Sequence, residues 1–383
     1  MRKALLTTLI LCFAISAFGQ ERERKSWGRD AVRWGQGAID TPSAETYFVS
    51  TWKTDNAGTS GDSQILLPLT ADPVNIYVDW GDGNYNHIND YTDARKTHTY
   101  PAAGTYTVKI YGTLKGFRFA NLGDKRKITD ISQWGCFDLT TDQVFYGCEN
   151  LECTATDAPI VSSTIFYNQF KNCGILTNLG KIEDWVFTDV TNFESCFMYA
   201  HVFDQDLSLS HWATAPTNFR NMFYDSDAYD YSLASWLIGS LTDAAFMFHA
   251  APGMTTVNYS ATLISWAAQA AQPNVPFKAG NATFTGGTLV TSAATATTAD
   301  KLVDGTQDFS FTGLDVQIGD VVYNTTDGTW ARVTGVDNAT TLSIDVDIMV
   351  NGEGYKILQS AAAKAKAALV IDDGWVIIDG GIA

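Results

Sequence analysis

Lysine and arginine are scarce in this chain: 25 of them face 42 aspartates and glutamates, for a formal net charge of −17. That imbalance repels polyanions, so nucleic acid and direct insertion into an anionic membrane are poor partner expectations. Long apolar runs are also missing, because beyond the first twenty residues no stretch is apolar enough to cross a bilayer. Catalytic signatures are absent as well: there is no Gly-x-Ser-x-Gly, no His-Glu-x-x-His and no glycine-rich phosphate loop carrying a lysine. The five histidines, His87, His98, His201, His211 and His249, share no spacing and read as structural residues. With 42 carboxylates, some pair approaches closely in any fold, so carboxylates alone do not point to a glycosidase. No enzymatic activity is expected. Cysteine is sparse and lacks a CxxC or a Cys/His zinc spacing.

What is present begins with export. Arg2 and Lys3 precede an apolar stretch from Ala4 to Phe18, and Ala17-Phe18-Gly19 is small at its first and third places. This reads as a secretory leader over 1–19, followed by an N-terminal extension over 20–44. Leu11 stands where an acyl anchor at Cys12 needs a small residue, so lipidation is rejected. Loss of the leader removes two basic residues and leaves 23 against 42. The expected location is extracellular or at the cell surface, on a cell or on a virion appendage.

The middle of the chain repeats. Phe145, Phe170, Phe197, Phe223 and Phe248 are separated by 25, 27, 26 and 25 residues. Three places after each stands a small residue: Cys148, Cys173, Ala200, Ser226 and Ala251. Six places after each stands a large one: Leu151, Leu176, Phe203, Tyr229 and Met254. Tryptophans follow three of them, at Trp185, Trp212 and Trp236. Units this short cannot bury their own apolar side, so stacking each column on itself is the physical solution. The spacing predicts a solenoid with those ten large residues as its core. Cys148 and Cys173 fall in the small column and read as buried thiols, whereas Cys136 and Cys153 lie outside it and are free to pair. Beyond the leader, which holds Cys12, Cys196 completes an odd set of five.

Cys196-Phe197-Met198-Tyr199-Ala200-His201-Val202-Phe203 and Met222-Phe223-Tyr224-Asp225-Ser226-Asp227-Ala228-Tyr229 resemble the repeat of BspA-type leucine-rich-repeat surface proteins. Trp52-Lys53-Thr54, Gly123-Asp124-Lys125, Gln133-Trp134-Gly135 and Phe145-Tyr146-Gly147-Cys148-Glu149-Asn150-Leu151 add to it. The resemblance covers about residues 45–285 and the C-terminal tail. It implies a secreted or surface protein for adhesion or recognition, with no catalytic residues. The chain departs from the pattern where Cys196 replaces the usual Met, where Phe203 to Trp212 is two residues longer than Tyr229 to Trp236, and where the last unit lacks its Trp.

Residues 45–120 alternate apolar and polar between turn residues, as short strands do. Trp80-Gly81-Asp82-Gly83 and His98-Thr99-Tyr100-Pro101, followed by Gly104-Thr105-Tyr106, resemble the PKD-type β-sandwich. Asp79, Asp82, Asn84, Asn86 and Asp93 crowd one loop with oxygen atoms and are the weak candidates for a calcium site, the single cofactor considered. His87 stands where a calcium loop needs glycine, and Asp93 where it needs glutamate, so a turn capped by Asp and Asn is the preferred reading.

After the repeats, Tyr259 to Ala271 has helical spacing, Asn274 to Gly280 reads as the last coil, and Ala361 to Val370 as an Ala/Lys-rich helix leading to a strand at Val376-Ile377-Ile378. Between these pieces, residues 286–358 turn rich in Thr, Val, Asp and Gly. They read as a small β-barrel or sandwich inserted into the solenoid cap (359–383), and resemble modules of phage virion proteins through Gly319-Asp320-Val321-Val322-Tyr323-Asn324 and Gly352-Glu353-Gly354-Tyr355. The expected architecture is therefore mainly β: a PKD-like sandwich at 45–120, a repeat solenoid at 121–285 and the inserted module. Expected partners are a protein or glycan on a cell surface, or further copies of the chain in a filament or appendage.

Overall fold

The computed structural model describes residues 47–383, apart from residues 72, 188, 210 and 213–215. The expected leader (1–19) and extension (20–44) lie outside the described residues, as does the side chain of Trp212. The described residues are mainly β, with 29% strand against 9% helix.

The first strands are β1 (Phe48–Lys53), β2 (Gln64–Leu66), β3 (Val74–Asp79), β4 (Tyr85–Ile88), β5 (Thr97–Thr99) and β6 (Thr105–Leu114). Alternation sorts their faces: Phe48, Ser50 and Trp52 of β1, Val74, Ile76 and Val78 of β3, and Val108 and Ile110 of β6 all point inward. β2 and β5 form a separate antiparallel pair, which adds Ile65 to the same core. The main sheet continues past residue 120. Its order is β4-β3-β6-β1-β7-β9, with β7 at Ile128–Gln133 and β9 at Glu152–Cys153. Strands on both sides of the expected 120/121 boundary thus share one sheet, and their side chains share one core.

Two buried charges fasten that junction. The Asp124 carboxylate accepts hydrogen bonds from the backbone N–H groups of Thr59 (2.9 Å), Ser60 (3.0 Å) and Leu66 (2.7 Å). Lys127 donates to the carbonyls of Ser60, Gly61 and Gln64 at 2.8–3.1 Å. Both side chains are fully buried, and burial lowers the Lys127 pKa. Gly123-Asp124-Lys125 is therefore part of a lock on the loop before β2.

From residue 117 to about residue 285 the backbone winds in coils. Short parallel pairs join successive coils: β8 (Asp138–Leu139) with β10 (Ile160–Val161), and β11 (Val186–Phe187) with β12 (His211–Trp212). A run of single parallel bridges links Ile165, Asn192, Asn218 and Asp243. The five repeat phenylalanines are buried, and their rings stack along the coil axis with centroid separations of 5.7, 5.6, 5.7 and 5.2 Å. Leu151, Leu176, Phe203, Tyr229 and Met254 are buried beside them, as are Trp185 and Trp236. Each phenylalanine N–H donates to the next coil: Phe145 to Gln169, Phe170 to Cys196, Phe197 to Met222, Phe223 to Met247 and Phe248 to Lys278. A threonine ladder runs parallel, with the hydroxyls of Thr191, Thr217 and Thr242 donating to the carbonyls of Thr164, Thr191 and Thr217.

Helix α1 (Thr256–Ala267) buries Tyr259, Leu263 and Trp266 and starts three residues before the sequence spacing suggests. The Tyr259 N–H already bonds the Thr255 carbonyl, so the polar Thr-Thr-Val-Asn start belongs to the first turn. β13 (Pro276–Lys278) and β14 (Thr283–Phe284) pair in parallel with β21 (Val376–Ile378) and β22 (Gly381–Ile382), across about a hundred residues of chain.

Between those partners lie β15 (Thr288–Ala293), β16 (Lys301–Val303), β17 (Val321–Asn324), β18 (Trp330–Asn338), β19 (Thr341–Ile344) and β20 (Gly354–Leu358), then α2 (Ala361–Ile371). The six strands make one sheet in the order β15-β20-β17-β18-β19-β16, around a core of their own that includes Leu302, Phe309, Val333 and Tyr355. The barrel alternative is corrected here. One bridge, Ala296 to Val303, crosses the remaining gap, but no ladder closes a barrel. Asp304 is the hub, accepting from Thr306 N–H (2.9 Å), Ser292 Oγ (2.6 Å) and Tyr355 Oη (2.7 Å).

Val321, Trp330 and Leu358 belong instead to the main core, so the sheet is seated on the cap. At that seat Lys366 of α2 is buried, 2.7 Å from the Asp379 carboxylate and about 5 Å from the ring centres of Phe284 and Trp330. Tyr259 donates to the same carboxylate oxygen at 2.6 Å. Arg332 reaches Asp372, and Lys364 reaches Asp320 at 3.0 Å.

Candidate recognition face

The coil geometry sorts each repeat into inward and outward columns. The phenylalanines, and the residues three and six places after them, point inward. One place after each phenylalanine stands Tyr146, Lys171, Met198, Tyr224 or His249, and all five are half-buried on the outer wall. Two places after stands Gly147, Asn172, Tyr199, Asp225 or Ala250, and every one has a positive φ, between 54° and 86°. Two places before stands Gln143, Asn168, Ser195, Asn221 or Phe246, again with positive φ, from 53° to 59°. The left-handed turns on either side of each phenylalanine bend the wall, and they explain why Gly and Asn recur there.

Two residues break that logic. Tyr199 and Phe246 are bulky aromatics held in the left-handed region, where asparagine or glycine fits better. Phe246 is also 44% exposed. Together with their neighbours they form a continuous run of rings: Tyr199 to Tyr224 is 5.6 Å, Tyr224 to His249 is 5.0 Å, and His249 to Phe246 is 5.5 Å between centroids.

Cations gather on the same wall. Residues 164–285 contain four Lys or Arg, namely Lys171, Lys181, Arg220 and Lys278, against ten carboxylates. Three of the four lie over outer rings: Lys171 over Tyr146 at 5.3 Å, Arg220 and Lys278 over Phe246 at 5.9 and 6.0 Å. Burial lowers the Lys171 pKa, with Glu194 opposing. Arg220 is paired with Asp243 at 2.7 Å. Beside Tyr199, His201 Nδ1 lies 3.4 Å from the Asp227 carboxylate, and Asp225 completes a group of three ligand atoms within 4.8 Å of one another.

The loop considered for calcium is organised otherwise. Asp79, Asp82 and Asp93 accept from the N–H groups of Gly81 (3.0 Å), Asn84 (3.0 Å) and Arg95 (2.8 Å), each two residues on. Asn86 accepts from Trp80 Nε1 at 2.8 Å, Asn84 donates to Asp82, and Asp93 binds the Arg95 guanidinium. Asp82 also meets His98 at 2.9 Å. Burial alone raises the Asp82 pKa, but the bonds from His98 and Asn84 outweigh it and hold the pKa low. The loop's oxygens thus accept from neighbouring donors, as in a turn capped by Asp and Asn.

Cys136 and Cys153 are separate free thiols, as are Cys148, Cys173 and Cys196, so the pairing left open from the sequence is not made. Burial pushes the Cys153 thiol up to about 12 and those of Cys148, Cys173 and Cys196 upward as well.

Within the outer run Tyr199, Tyr224 and His249 are 25 residues apart, which is the repeat period, whereas Phe246 falls outside that spacing. Tyr199 and Phe246 sit in different columns, and only the left-handed backbone they share sets them apart.

Residues 164–273 match a family described as "Mycoplasma protein of unknown function, DUF285". No curated protein matches the chain, and no solved structure does.

Proposed function

We propose that this is an extracellular recognition or adhesion protein without catalytic activity. In this reading residues 121–285 are a BspA-type leucine-rich-repeat solenoid, residues 45–120 a PKD-like sandwich whose sheet continues into its first coils, residues 286–358 an inserted module and residues 359–383 the cap. The observation that carries the reading is the division of labour in the coils. Inward columns account for packing, while the outer wall holds a run of half-buried aromatics and cations that the core does not require. The test is flow cytometry with labelled purified protein on a panel of cells. Saturable binding is expected, and its absence across the panel contradicts the reading.

A structural subunit of a filament or phage appendage is the second reading. It is favoured by Phe311 and Ile318 of the module, which are 83% and 72% exposed. Electron microscopy at high protein concentration separates the two, since filaments or closed rings support the subunit and dispersed monomers oppose it.

A further inference from the structure

The geometry points to an intramolecular isopeptide bond between the Lys366 side chain and the Asp379 carboxyl, formed with loss of water, a covalent staple of the cap that is independent of the recognition reading above. The first observation is the company Lys366 keeps. Its side chain and that of Asp379 are 6% and 4% exposed, with Nζ 2.7 Å from Oδ2. Among the described residues Asp379 is the one acceptor bonded to Nζ, and the rings of Phe284 and Trp330 lie over the nitrogen. The other buried lysine differs. Lys127 donates to the Ser60 hydroxyl and to the carbonyls of Ser60, Gly61 and Gln64 at 2.8–3.1 Å, and stands 4.0 Å from the Asp124 carboxylate. Lys127 thus has the acceptors that a buried ammonium requires, and Lys366 does not. Burial lowers the Lys366 pKa against the pull of Asp379, which favours the neutral, nucleophilic amine.

The second observation is the pair of donors on the carboxyl. The Gly381 N–H donates to Oδ1 at 3.0 Å, and Tyr259 Oη donates to Oδ2 at 2.6 Å. Burial raises the Tyr259 pKa and Asp379 adds to the rise, so the hydroxyl keeps its proton. One oxygen therefore has an amide donor placed to hold an oxyanion, and the other has a hydroxyl placed to protonate a leaving group.

The condensation needs no co-reactant and changes no oxidation state. Nζ passes one proton to Oδ2 and becomes an amine with a free lone pair. The lone pair attacks Cγ and forms the C–N bond, while Gly381 holds the charge developing on Oδ1. Tyr259 then gives its proton to Oδ2 and recovers the second proton from nitrogen, so the C–O bond breaks and Oδ2 leaves as water. Oδ1 remains as the amide carbonyl. Folding supplies the driving force by holding amine and carboxyl in contact, an effective molarity on the order of 10⁵ M or more. The bond ties α2 to the turn after β21, and so holds β21 and β22 on β13 and β14.

Mass spectrometry of the full chain, folded, incubated at neutral pH, then denatured and digested with trypsin, reads the bond directly. An unlinked chain is cut after Lys366 and releases Ala367–Ala383 at the mass of its sequence. A linked chain resists that cut and releases Ala365–Ala383, lighter than its sequence by one water. The wild-type protein is expected to give the lighter, uncut peptide. Lys366→Met and Asp379→Ala should abolish it, and Tyr259→Phe should form it at least about tenfold more slowly. Folded wild-type protein that gives Ala367–Ala383 at full mass overturns the inference and leaves an ion pair. Ala367–Ala383 lighter by one water overturns it too, because a succinimide at Asp379-Gly380 loses the same mass but leaves Lys366 open to trypsin. A lighter, uncut peptide in Asp379→Ala, or its formation at the wild-type rate in Tyr259→Phe, overturns the assignment of these atoms. The wild-type digest decides even where a variant does not fold.

Discussion

Phe197 and Tyr199 are two residues apart on one coil and lie on opposite sides of its wall. Phe197 is buried between Phe170 and Phe223, with centroids 5.6 and 5.7 Å away. Truncating Phe197 or Phe223 to Ala should cost about 3–5 kcal/mol, measured by denaturant unfolding. Unchanged stability would show that the column is not core. The left-handed positions give the opposite sign where no ring is involved. Ala250 has φ 62° and is exposed, so Ala250→Gly should stabilise by about 0.5–1 kcal/mol. Gly147→Ala should destabilise, because a Cβ there collides with the side chains of Asn121 and Lys125. At this scale the inward residues were legible in the sequence, because burial selects size and apolarity at fixed intervals. The left-handed columns were not, since Gln143, Tyr199 and Phe246 look nothing like turn residues.

Helix α2 shows what pattern reading misses at the scale of elements. Its Ala/Lys composition announces a helix, and Ser360 caps it by accepting from the Ala363 N–H at 3.0 Å. Composition also suggests that its lysines are solvated, yet Lys366 is buried against Asp379, thirteen residues on, and between Phe284 and Trp330. Its partners come from three separate strands or turns, so no local window reveals them. Removing one member of a buried pair strands the other, and Asp379→Ala should cost about 3–5 kcal/mol by thermal or chemical unfolding. A loss under 1 kcal/mol would mean the pair is solvated.

Asp304 governs acid behaviour in the inserted sheet. Burial alone raises its pKa, but bonds from Ser292, Thr306 and Tyr355 outweigh this and lower it from the ordinary 3.8. A lowered folded-state pKa contributes stability above the unfolded value, and that contribution is lost as pH falls through the folded one. Asp304→Asn should therefore destabilise the sheet at pH 7, and the gap from wild type should narrow toward pH 3, as followed by tryptophan fluorescence. A gap that is constant with pH would contradict this role.

Within residues 47–383 the inserted sheet is seated on the cap of the coils. Gly286 and Gly287 accept from Ser360 and Gln359 at 3.2 and 3.1 Å, so the segment between them leaves and re-enters the cap at one place. A short Gly/Ser linker in place of 286–358 should leave the coils folded, though less stable, because Trp330, Val321 and Leu358 no longer cover the cap. The sequence marks this segment through its change in composition. It does not mark the shared sheet across residue 120, because the pairing of β1 with β7 joins strands with about seventy residues between them.

Hydrogen exchange read at single-residue resolution tests the stack most directly. The account predicts that the amides of Phe145, Phe170, Phe197, Phe223 and Phe248 all exchange slowly, because each donates to the following coil. Exchange of these five at the rate of exposed loops would contradict it.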